Sequence, residues 1–116
     1  MEEHFPFSKN KQERFLELIL FAHLATIYCD SILCEQEEVL TKRVIEELVS
    51  EGYERKNIES KIAKIEQYIL HTMQEKTKDF LMIFETSIKY AMQPAETDLY
   101  NKIAPVSYTH LRAHET

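Results

Sequence analysis

Glycine occurs once and proline three times in these 116 residues, and tryptophan is absent. So few turn-forming residues leave a β-sandwich or barrel without its reverse turns, and they exclude a phosphate-binding glycine loop and a G-x-S-x-G nucleophile elbow. There is also no H-E-x-x-H, and no Glu-x-x-His pair within residues 1–105, which removes the usual signature of a di-iron bundle. Long apolar runs are missing too. The most apolar stretch, Phe15 to Tyr28, contains Glu17 and His23 and is too short to cross a bilayer, so no membrane span is expected. The start, MEEHFPFSKN, has neither the basic nor the apolar region of a secretory signal, so a cytoplasmic location is expected.

Positive charge is in deficit. A formal charge of −6 and a pI near 5.4 would repel nucleic-acid backbone and anionic lipid, so protein partners, self-association or cations are favoured. Only two cysteines occur, Cys29 and Cys34, spaced C-x4-C with no second ligand pair nearby. In a cytosolic chain they read as reduced, partly buried thiols, and a zinc site needs more ligands.

Glu, Lys, Leu and Ile are abundant, a composition that favours helices, and the length suits one domain. The fold class expected is all-α, a single bundle of about five helices. Residues 1–9 either pack the rings of Phe5 and Phe7 loosely on that bundle or fray. Asn10 and Glu13 have the spacing of a reciprocal N-terminal cap, and the apolar residues that follow predict a helix over 11–28. Its apolar surface is wide enough to make it central.

A second helix is expected from about Glu35, with Val39, Leu40, Val44, Ile45, Leu48 and Val49 as its buried stripe and Gly52 after its end. Residues 53–74 predict a third. Ile58, Ile62, Ile65, Ile69 and Met73 face inward there, while Lys56, Glu59, Lys61, Lys64 and Glu66 face out. A fourth is expected over 78–92, capped by Thr77, and a fifth over 95–103 after Pro94.

The last eleven residues, VSYTHLRAHET, resemble one reading frame of a translated Nextera transposase sequencing adapter. Residues 106–116 are therefore expected to be a non-native tail from a metagenomic read, and the natural protein to continue differently. His110 and His114 are accordingly not offered as ligands, despite their H-x3-H spacing.

The densest chemistry lies at the elbow between the first two helices, CDSILCEQEE, with one aspartate and three glutamates. Negative charge in a first helical turn is stabilising by about 0.3–1 kcal/mol per residue, which explains Glu35, Glu37 and Glu38 as helix-start residues. The other reading pairs Asp30 with Glu37 as oxygen ligands of Ca²⁺ or Mg²⁺, with water completing the shell. The loop is not an EF-hand, because Ile32 and Cys34 stand where oxygen donors would be needed.

The elbow resembles the tellurite-resistance TerB-like family, whose signature is A-D-G, a hydrophobic residue, then an acidic helix start. Cys29, Asp30 and Ser31 occupy the first three positions, Leu33 the hydrophobic one and Glu37 that of the glutamate. The resemblance covers residues 18–48, with a degraded echo over 90–103. Serine replaces the glycine, and the echo offers Gln93 and Glu96 without an aspartate. The resemblance implies an all-helical module of bacterial stress response, with acidic cation sites in some members and no catalytic reaction.

Other residues have plainer readings. His23 is expected to hydrogen-bond the second or third helix, and His71 to sit as a cation near a helix end. Arg55, Lys56, Asn57, Lys61 and Lys64 could mimic a DNA-reading helix, but interleaved glutamates favour a solvated face. The chain is thus expected to be a non-catalytic TerB-like module that binds a cation at Asp30 and Glu37. A metal-free interaction bundle is the first alternative and a helix-turn-helix-like DNA-binding protein the second.

Overall fold

The computed structural model describes residues 5–28 and 35–75, which form three helices and no strand: α1 (Lys11–Tyr28), α2 (Glu37–Ser50) and α3 (Arg55–Glu75). The expected helices over 78–92 and 95–103, the residues Cys29, Asp30, Ser31, Leu33 and Cys34, the second copy of the elbow and the tail at 106–116 lie outside the described residues. Among those described, no helix is long and apolar enough to cross a membrane.

Helix α1 begins where the cap predicts. The Glu13 N–H donates to Asn10 Oδ1 at 3.0 Å, but the return half of the cap does not form, because the Glu13 carboxylate accepts from Asn57 and Lys61 of α3 instead. Every residue from Phe15 to Ile27 is buried. A helix buried on all sides is one that other elements surround, so α1 is central, and both α2 and α3 pack on it. Thr26, buried among hydrocarbon, satisfies its hydroxyl by donating to the Ala22 carbonyl at 2.7 Å.

Helix α2 starts without a side-chain cap from Gln36, leaving Glu37 and Glu38 in its first turn to complement the positive end of the helix dipole. Its far end is built on Gly52, whose φ of 104° is open to glycine at low cost. That conformation lets the Gly52 N–H reach the Val49 carbonyl at 3.0 Å and the Tyr53 N–H reach the Leu48 carbonyl at 3.1 Å, satisfying two orphan acceptors. Val44 and Leu48 are buried, and Leu40, Ile45 and Val49 are half-buried. Val39 departs from the expected stripe. It is 72% exposed, because the buried face of α2 narrows toward the elbow.

Helix α3 buries Ile58, Ile65 and Ile69, with Ile62 and Met73 half-buried against the same core. Two polar residues expected on its outer face turn inward. Lys61 and Glu66 are both half-buried and are held by groups of α1, as described below.

Residues 5–8, ahead of α1, are packed rather than frayed. Phe5 is 1% exposed, with its ring 5.1 Å from Tyr68 in an edge-on arrangement and 5.4 Å from Phe21. Burial of such a ring contributes about 2–3 kcal/mol, with aromatic-pair geometry adding to it.

Candidate functional site

Three side chains meet where α1 ends. The Tyr28 hydroxyl donates to Glu66 of α3 and lies 3.5 Å from Glu37 of α2. Glu37 comes to this place from the first turn of α2, and Glu66 from the middle of α3. The half-buried phenol of Tyr28 therefore has two carboxylates about it, each half-buried. One hydroxyl hydrogen serves one acceptor well, so the second carboxylate retains lone pairs for another donor or for a cation.

Of the two site residues expected from the sequence, Glu37 is thus placed, and Asp30 lies outside the described residues. Glu66 was not expected. Carboxylate oxygens are the donors that Ca²⁺ and Mg²⁺ take, so Glu37 and Glu66 are of the right chemistry. Two such groups do not complete a site. Among the described residues no set of three or more His, Cys, Asp or Glu is arranged to hold a metal ion.

A second polar constellation lies at the other end of α1. Glu17 is 1% exposed, yet its carboxylate accepts from the Ser8 N–H at 2.7 Å, the Ser8 hydroxyl at 2.6 Å and the Lys61 ammonium at 2.5 Å. Lys61 also pairs with Glu13 at 3.1 Å. Burial pushes the Glu17 pKa up, but the hydrogen bonds from Lys61 and Ser8 outweigh it and hold the group below its ordinary value. For Lys61 burial works downward, and the bonds to Glu17 and Glu13 carry the pKa above its ordinary value. Both groups are therefore charged at neutral pH.

His23 is 3% exposed on α1, and its Nε2 shares a hydrogen bond of 3.0 Å with Thr41 Oγ1 of α2. Burial lowers its pKa to about 4, so it is a neutral ring joining two helices. His71 is exposed, near the end of α3.

No family model, curated protein or solved structure matches the chain. Its chemistry must be read from the geometry. Of the α3 residues that could mimic a DNA-reading helix, Arg55 holds Glu46 at 3.2 Å, the Asn57 amide holds Glu13, and Lys61 holds Glu17. Lys64 stands 5.9 Å over the Phe5 ring.

What sequence reasoning missed was the pairing of polar residues inside the bundle. Glu17 interrupting an apolar run was the available signal, since a buried carboxylate requires a cation. Lys61 as that cation was not legible, because Lys and Glu alternate along α3 and several lysines share its polar spacing.

Proposed function

We propose that the chain is a non-catalytic α-helical binding module, similar to TerB-like proteins of bacterial stress response, whose acidic elbow takes a divalent cation. The observation that supports this is the approach of Glu37 and Glu66 to one phenol, that of Tyr28 at the end of α1. Asp30, the aspartate of the TerB-like signature, would join them as the third carboxylate. Bound there, a Ca²⁺ or Mg²⁺ ion would offset the repulsion of the carboxylates. A cytoplasmic location accords with this reading.

The test is thermal unfolding with and without millimolar Ca²⁺ or Mg²⁺. A ligand that binds only the folded state raises the midpoint, and Asp30→Ala or Glu37→Ala should abolish the rise. An unchanged midpoint in the unaltered protein refutes the cation.

A metal-free interaction bundle is the second reading, favoured by two large apolar side chains left in water, Val39 at 72% and Leu70 at 45% exposure. It predicts a co-purifying protein or self-association that Val39→Ser and Leu70→Ser weaken. DNA binding has less support, since Arg55, Asn57 and Lys61 already hold carboxylates.

A further inference from the structure

The segment before α1 is seated on the helices as a ligand is seated on a protein. Glu17 and Phe21 stand one turn apart on α1, and Lys61, Lys64 and Tyr68 follow at helical spacing on α3. Together they make a seat with two unlike ends. At the apolar end the Phe5 ring contacts Phe21 and Tyr68 with Lys64 over its face, and Phe7 meets Phe21 edge-on at 5.7 Å. At the polar end Glu17, balanced by Lys61, accepts both the N–H and the hydroxyl of Ser8.

We infer that this α1–α3 seat is a recognition site for an aromatic–Pro–aromatic–Ser segment, filled by the chain's own residues 5–8 and able to accept the same residues from a second copy. The order of the two ends sets the direction of the segment, because a reversed one would bring a ring to the Glu17 carboxylate. Pro6, which is exposed, fixes one backbone angle and reduces the entropy lost on docking. Lys9 and Asn10, also exposed, form the short link to α1 across which exchange would hinge. The occupant in a second copy is chemically identical, so an exchanged pair closes symmetrically. A short link gives the chain's own segment an effective concentration of order millimolar, so it holds the seat against dilute competitors. This inference does not depend on the cation at the elbow.

Two full-length variants test it. Phe5→Ala has an intact seat and a damaged segment, whereas Glu17→Gln has the reverse. Mixed, they should form a dimer by sedimentation at concentrations where each alone stays monomeric. A labelled peptide of residues 1–9 should bind Phe5→Ala at least tenfold more tightly than the unaltered protein, and the peptide lacking its Phe5 ring should not bind. A mixture no more associated than its components, or equal peptide binding by the variant and the unaltered protein, overturns the proposal. Should Phe5→Ala lose its helical circular dichroism, hydrogen exchange of the unaltered protein decides: the Ser8 amide should exchange faster than that of Leu20. Equal protection would make the segment an inseparable part of the core and end the proposal.

Discussion

Lys61 of α3 places its ammonium 2.5 Å from the Glu17 carboxylate of α1, within the most apolar stretch of the chain. The pair joins two helices and the segment that precedes them, since Ser8 donates to the same carboxylate. A buried charge without its partner is costly, so Lys61→Met should destabilise the fold by about 3 kcal/mol, less whatever water reaches the pair. Urea unfolding measures this. The double change Glu17→Leu with Lys61→Met should recover much of the loss, because it removes both charges together.

Acid should act in two stages. His23 has a folded pKa of about 4, below its unfolded value, so its contribution is complete above pH 6.5 and is lost as pH falls from there toward 4. The loss is on the order of 3 kcal/mol. Glu17 follows. Its folded pKa is depressed, so its contribution is present above the unfolded value near 4.5 and disappears as pH falls through the folded one. His23→Gln should flatten the stability profile between pH 6.5 and 4 while leaving the lower decline in place, as urea midpoints across that range would show.

Gly52→Ala should lower stability by about 1 kcal/mol, because alanine is strained at a φ of 104°. Beyond Gly52 and its two chain neighbours nothing lies within 4 Å of the added Cβ, so the cost is one of backbone alone. Asparagine at the same position should cost less than alanine, and thermal unfolding would rank the two.

Local rules made much of the fold legible. The bounds of α1, the glycine at the end of α2 and the apolar stripe of α3 each follow from a few neighbouring residues, and each is found. Long-range pairing was not legible in the same way. Glu13 has the spacing to complete its own helix cap and is drawn to Asn57 and Lys61, forty-four and forty-eight positions on in sequence, because they stand nearby in space. Glu66 reads as a solvent-facing residue and meets Tyr28 for the same reason. Val39 errs in the opposite sense: its apolar character predicts burial, but it is exposed. Glu37 stands in the helix start expected of it, whereas the approach of Glu66 to the same phenol follows from packing that no local pattern shows.

Tyr28→Phe should separate capping from cation binding. Loss of the hydroxyl removes the donor from Glu66 and lowers stability by about 1 kcal/mol in the absence of metal. With the phenol gone the carboxylates of Glu37 and Glu66 have less to offset their repulsion, so added Ca²⁺ should restore more stability in this variant than in the parent. Thermal unfolding in parallel with and without the ion would check it.

The central claim, that Asp30 and Glu37 of the elbow take a hard cation together with Glu66, is tested most directly by calorimetric titration of Ca²⁺ and Mg²⁺ into the protein. The account predicts saturable binding at one site, lost in both Glu37→Gln and Glu66→Gln. No heat of binding up to about 10 mM, beyond the range of even weak carboxylate sites, would contradict it.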